Sequence, residues 1–305
     1  MRFPHPPRRA SDSLRALHAA IVAVCLVTAA AASFDAAQDA ASASRGAQQQ
    51  QRPYRILISN DDGVRAPALP MLAEALKSIG DVIIVAPAED QSGISQGLTA
   101  APPIARTDIM LAGGLRAIGL TATPATTIQI AIKNIMVPRP DLVVTGINTG
   151  YNLGTSAYLS GTVGAARQAV MEGVPAVATS MAGAGVPRDF ASAAQQVVAI
   201  VRQVRDRGLP PQTFLNVNIP PMPAGGYTGL QVTMQAPVRG GVETFEETRR
   251  PGTDRTLYWS VYKEGASAPQ GTDVWAVNNG YVSITPMHLT EYDEKFAGTL
   301  RNWFK

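Results

Sequence analysis

The chain has 305 residues, 16% of them charged, with a single cysteine and a formal net charge of +3. That length suits one large domain or two of ordinary size. Composition excludes a fibre, a disordered chain and a strongly basic nucleic-acid binder, so no nucleic-acid polymer is expected as a partner.

In chain order, Arg2, Arg8, Arg9 and Arg15 come first, ahead of the uncharged run AAIVAVCLVTAAAA, which closes on small residues at Ala30, Ala31 and Ala32. A basic start, a short apolar stretch and an A-x-A-like end predict a secretory signal peptide over 1–32 and an exported, periplasmic protein. The alternative is an uncleaved anchor, but a span needs about 20 apolar residues, more than this run supplies. No stable membrane span is therefore expected after cleavage. Cleavage would take four of 26 basic residues and Asp12 of 23 acidic ones, leaving 22 of each. It would also remove Cys25, so the mature chain has no disulfide framework. Residues 33–53, rich in Ala, Ser and Gln without apolar periodicity, read as a flexible linker.

From residue 54 short apolar runs alternate with helical ones. RILISN (55–60), DVIIVAP (81–87), DLVVTGIN (141–148), AVATS (176–180) and FLNVNIP (214–220) are predicted strands. Between them the pattern predicts helices over 67–80, 126–136, 160–173 and 191–208, the first opened by Pro67 and closed by Gly80. Strands that are apolar throughout and separated by helices imply a doubly wound α/β domain with a mostly parallel sheet, placed over 54–225. Beyond it, over 226–305, GLQVTMQ, TLYWSVY and YVSITP predict a β-hairpin extension, and EKFAGTLRNWF a closing amphipathic helix.

Ligands of such sheets sit outside the carboxyl ends of the strands. Three loops there carry oxygen donors and glycines: SNDDG with Asn60, Asp61, Asp62 and Gly63; PAEDQSG with Ser92 and Gly93; and GINTGYNLG with Asn148, Gly150 and Asn152. Adjacent carboxylates have a plain reading, one capping the next helix and the other facing solvent. They also suit a hard divalent cation, which chooses oxygen ligands and supplies the missing positive charge. Ser160, Gly161 and Thr162 open a helix, a place that fits either an N-cap or a phosphate.

Other chemistries fail on the letters. There is no G-x-x-x-x-G-K-[ST], no G-x-G-x-x-G after the first strand, and no G-x-S-x-G around Ser160. His5 and His18 lie in the leader, so His288 is the one histidine of the mature chain and a multi-histidine zinc site is excluded. An aspartyl-nucleophile phosphatase would show D-x-D, whereas Asp61 and Asp62 are contiguous.

The stretches RILISNDDGVRAPALPMLAEAL, VIIVAPAEDQSGISQGLT, RPDLVVTGINTGYNLG, YLSGTVGAARQA, FLNVNIP and GTDVWAVNNGYVSITPMHL together resemble the successive motifs of the SurE family of metal-dependent phosphatases, 5′-nucleotidases. The resemblance implies a Rossmann-like domain whose C-terminal hairpin region takes part in assembly into a homodimer or homotetramer. It implies one divalent cation per subunit, Mg²⁺ or Mn²⁺, on Asp61, Asp62, Ser92 and Asn148. The implied substrates are nucleoside 5′- and 3′-monophosphates or other phosphomonoesters. Asn60, Gly93, Asn152 and the Ser160–Gly161–Thr162 turn would bind the substrate, and Asp61 or Asp62 would orient or deprotonate a water. The chain departs from the pattern at Ala122, Thr126 and Thr127, where Gly, Asp and Cys are common, and at Gln91 and Gln96, where Arg and Asn are frequent. A phosphatase and an exported binding protein that has lost turnover are the two readings this leaves.

Overall fold

The computed structural model describes residues 52–181, 188–238, 241–263 and 267–304. The expected leader over 1–32, with Cys25, and the linker as far as residue 51 lie outside the described residues. Strand β1 (Arg55–Ser59) shows why the fold needs two helical layers. Ile56 and Ile58 join one apolar cluster and Leu57 joins the other, because alternate side chains of a strand point to opposite faces. On the first face lie α1 (Ala68–Leu76), through Leu69 and Leu72, and α4 (Phe190–Arg207), through Val197 and Val201. On the second lie α2 (Pro124–Ile130), through Ile128, and α3 (Gly161–Met171), through Val163 and Ala166.

Around β1 run β2 (Asp81–Pro87), β4 (Arg116–Leu120), β5 (Leu142–Thr149), β6 (Ala176–Met181) and β7 (Thr213–Ile219), parallel and in the order β4-β2-β1-β5-β6-β7. The chain leaves β1 for β2 on one side and later returns to place β5 on the other. That reversal opens a crevice at the carboxyl ends of β1 and its neighbours. β3 (Arg106–Met110) pairs antiparallel with β4 at one edge. Neither β3 nor β4 stands out in the sequence: RTDIM carries Arg and Asp, and RAIGL is short and holds a glycine.

The stretch from residue 226 onward divides between two sheets. β11 (Tyr281–His288) runs antiparallel to β7, and β8 (Gly229–Val232) pairs with β11, bringing the main sheet to nine strands. A short helix α5 (Asp273–Asn278) precedes β11, where the sequence reading has no helix. β9 (Gly241–Arg249) and β10 (Thr256–Lys263) form the separate antiparallel hairpin, with Phe245, Tyr258 and Trp259 exposed. The closing helix α6 (Glu294–Trp303) is present and buries none of its residues. Among the described residues no helix is long and apolar enough to cross a membrane.

Helix ends follow local chemistry. α2 starts two residues ahead of the expected position because Thr123 caps it, accepting from the Thr126 N–H, and Pro124 takes the first turn, where its missing N–H costs nothing. Asp189 caps α4 and Gly208 ends it at φ 73°.

Candidate functional site

The loop after β1 is tied to both neighbouring strands. Asn60 donates its amide to the Gly63 carbonyl at 2.9 Å, the Val64 N–H reaches the Pro87 carbonyl at 2.7 Å, and the Gln91 N–H reaches the Asp61 carbonyl at 2.8 Å. These bonds hold Asp61 and Asp62 over the crevice, beside the loop that carries Ser92.

Asp61 is 2% exposed, packed against the first turn of α3. A Cβ at Gly161 would sit 2.8 Å from both Cβ and Oδ2 of Asp61, so only glycine admits the carboxylate there. The Thr162 hydroxyl donates to Asp61 Oδ1. Burial pushes the Asp61 carboxyl up to about 6, the charge of Asp62 adds to it, and the Thr162 hydrogen bond opposes it. Asp62 accepts from the Thr149 hydroxyl at 2.9 Å. Its pKa is raised chiefly by burial, against the Thr149 bond, with Asp90 raising and Arg188 lowering it further. No Lys or Arg among the described residues forms an ion pair with either carboxylate. Two buried oxygens of this loop, Asp62 Oδ2 and Asn60 Oδ1, have no hydrogen-bond partner among the described residues.

Asn148 is delivered by a break in β5. Pairing with β6 shifts register between Thr145 and Asn148, at Gly146, whose φ is +117° and where a Cβ would lie 2.1 Å from the Thr179 carbonyl. Bulges of this kind re-aim the side chains that follow them. Asn148, half-buried, donates to the Gly150 carbonyl at 2.8 Å, a bond that leaves its side-chain carbonyl oxygen uncommitted as an acceptor. Ser92 is exposed and donates its hydroxyl to Asp90 at 2.6 Å, while Gly93 beside it is open to solvent. Two carboxylates, a hydroxyl and an amide thus stand at the ends of three adjacent strands. Among the described residues no group of three or more His, Cys, Asp or Glu could hold a metal, so a cation here would depend on the neutral oxygens too.

The expected substrate-binding residues separate into two sets. Ser160 caps α3, accepting from the Val163 N–H at 3.1 Å; a hydroxyl that accepts keeps its own proton to donate. Asn152 lies deeper, 7% exposed, inside a polar ring that the sequence reading missed. Its N–H donates to Asn218 Oδ1 at 2.8 Å, its side-chain amide to Ser180 at 2.8 Å, and its carbonyl accepts from Asn216 at 2.8 Å. The alternation in FLNVNIP was the signal: Asn216 and Asn218, two apart on a strand, share a face. Asp273, fully buried, accepts from the Gly154 N–H at 2.8 Å and the Ala236 N–H at 2.9 Å, pinning the far end of the same loop. Thr126 accepts from the Thr99 N–H at 2.9 Å, a neutral anchor for the loop beyond Ser92.

The chain is similar to known proteins over most of its length. The family described as "Survival protein SurE" matches residues 56–240. The 5′-nucleotidase SurE of Geobacter metallireducens is 39% identical over 254 residues, covering 82% of this chain and 97% of that relative. The 5′-nucleotidase SurE 1 of Thermus thermophilus is 39% identical over 237 residues, covering 77% and 92%. The crystal structure of the SurE protein from Aquifex aeolicus superposes with a TM-score of 0.69 at 34% identity, covering 82% of this chain and all of that one. The chain belongs to the SurE family.

Proposed function

We propose that the protein is a divalent-metal-dependent phosphatase that hydrolyses nucleoside 5′-monophosphates, with 3′-monophosphates as further candidate substrates. The observation that carries the reading is a buried carboxylate, Asp61, beside a half-buried one, Asp62, at a strand end with no cationic partner among the described residues, in a chain similar to proteins named 5′-nucleotidase. An unpartnered buried carboxylate oxygen is costly in a protein that leaves it so. The Asp62 Oδ2 and Asn60 Oδ1 orphans therefore fit a bound cation, with Asp61, Asp62, Ser92 and Asn148 as its protein ligands. Hard oxygen donors favour Mg²⁺ or Mn²⁺. When bound, such an ion polarises a phosphoryl oxygen and acidifies a coordinated water.

The chain's own groups then have distinct tasks. The Thr162 hydroxyl and Gly161 hold Asp61 in place, and Thr149 holds Asp62. Asp62, the less buried of the two, is positioned to accept or orient the proton of the attacking water. The Ser160 hydroxyl, its lone pair spent on the helix cap, keeps a proton for a phosphate oxygen at the positive end of α3. Asn152 supports the loop from below through its polar ring.

The names of the relatives favour turnover over the alternative of a binding protein that has lost it. The basic, then apolar, start of the sequence supports export to the periplasm. The exposed aromatics of the β9–β10 hairpin support assembly into a dimer or tetramer, which light scattering would measure. The decisive experiment assays phosphate release from nucleoside monophosphates and from an aryl phosphate with Mg²⁺ or Mn²⁺ and again with chelator. Release that survives chelation, or none with any metal, would sink the proposal.

A further inference from the structure

Beside the carboxylate loop lies a cavity of about 230 Å³ at the carboxyl ends of β2 and β4. Its walls include Ala88, Glu89, Gln91, Leu120, Thr121 and Thr123. The walls are braced: the Ala88 N–H reaches the Leu120 carbonyl at 2.7 Å, and the Thr123 N–H reaches the Thr99 hydroxyl at 2.9 Å. They also share backbone with the candidate metal site. The Gln91 N–H donates to the Asp61 carbonyl at 2.8 Å, and a Cβ at Gly63 would lie 3.1 Å from the Glu89 carbonyl carbon. The Glu89–Gln91 wall of the cavity is thereby held beside the Asp61–Gly63 turn.

Two polar side chains in the lining, the Glu89 carboxylate and the Gln91 carboxamide, have no partner among the described residues. A carboxylate only accepts hydrogen bonds, so its ligand must present donors. A vicinal diol presents two. In dinucleotide-binding α/β folds an acidic residue about 20 positions past the phosphate turn accepts from a ribose hydroxyl. Glu89 follows the Asp61–Gly63 turn and sits just past the end of β2, the strand next to β1.

We propose that this cavity seats the ribose of the nucleotide, with the Glu89 carboxylate accepting from its 2′- and 3′-hydroxyls and Gln91 lying against the sugar or base edge. The assignment rests on the nucleotide-phosphatase reading above and gives that reading a basis for preferring ribonucleosides.

The test titrates the metal-free protein with adenosine and with 2′,3′-dideoxyadenosine by saturation-transfer NMR and calorimetry, wild type against Glu89→Gln. Both ligands carry the same base and no phosphate, so only the diol differs. Adenosine is expected to bind about tenfold tighter to the wild type, the size of one or two hydrogen bonds to a charged acceptor. Glu89→Gln is expected to erase most of that preference; Glu89 is exposed, so the variant disturbs no core. Equal affinities in the wild type, a preference that survives Glu89→Gln, or no adenosine binding would each overturn the ribose pocket. Phosphate release from AMP, measured on the same samples with Mg²⁺ and Mn²⁺, reports separately: release that persists while the diol preference is absent overturns the pocket alone, and absent release overturns the phosphatase reading.

Discussion

The Thr162 hydroxyl donates to the Asp61 carboxylate across 101 residues of sequence, locking the first turn of α3 to the loop after β1. The bond matters because Asp61 is buried next to a second carboxylate and has no cation of its own among the described residues. Thr162→Val keeps the shape and removes the donor. Losing a hydrogen bond to a buried charged group costs about 1.5–3 kcal/mol. We expect a lowered melting temperature and at least a tenfold weaker apparent affinity for Mg²⁺, read by calorimetry and by metal-dependent phosphate release.

Asp62→Asn separates function from stability in the opposite direction. It should abolish metal-dependent turnover. It also removes a half-buried charge that acts on Asp61 and has one oxygen without a partner among the described residues. In chelator the variant should be as stable as the wild type or more so, because like charges at close range destabilise each other. Thermal unfolding with EDTA and with Mn²⁺ would check both halves; full activity in the variant would mean that the site lies elsewhere.

The pH dependence of the metal-free protein has a defined sign. Burial raises Asp61 from 3.8 to about 6, so between those values the folded state holds a proton that the unfolded chain has released. Stability from this group is greatest below about pH 4 and falls as pH rises to about 6, by roughly 3 kcal/mol. Saturating Mg²⁺ should reverse the trend, since the metal binds the deprotonated ligands. The measurement is chemical denaturation of wild type and Asp61→Asn across the window in EDTA. The difference between the two should shift toward the variant as pH rises.

Gly161→Ala should be destabilising although alanine is the better helix former. Its Cβ would meet Asp61 at 2.8 Å, and the carboxylate cannot retreat without losing Thr162. We expect a loss of about 1–3 kcal/mol together with most of the activity. Gly298 in α6 provides the contrast, with nothing within 4 Å of an added Cβ. There Gly298→Ala should stabilise by up to about 1 kcal/mol and leave turnover alone. Paired unfolding curves for the two variants would show opposite shifts.

The parallel sheet was legible because its evidence is local. Ile56, Leu57 and Ile58 in succession mean burial on both faces, and Gly208 closes α4 where the pattern placed its end. β3 and β4 were not legible: their residues make sense as strands only once β2 is alongside to pair with. The helix α5 was missed for a similar reason, since the role of Asp273 lies in bonds to Gly154 and Ala236, far from it in sequence.

For the site, the sequence by itself determined where the oxygen donors stand, at the ends of β1, β2 and β5, because strand periodicity and glycine-rich turns are properties of neighbouring residues. By residue type and position it did not distinguish Asp61 from Asp62, and it separated Asn152 from Asn148 only through the family resemblance. Tertiary structure decided both. Asp61 is buried because Gly161 leaves room for it and Thr162 satisfies it; Asp62 keeps one oxygen unpartnered among the described residues; Asn148 follows the register shift at Gly146. Asn152 is drawn into the ring of Ser180, Asn216 and Asn218. Those outcomes depend on which atoms packing brings within hydrogen-bond reach, and residues 28 to 101 positions apart in the chain meet only after the sheet has formed.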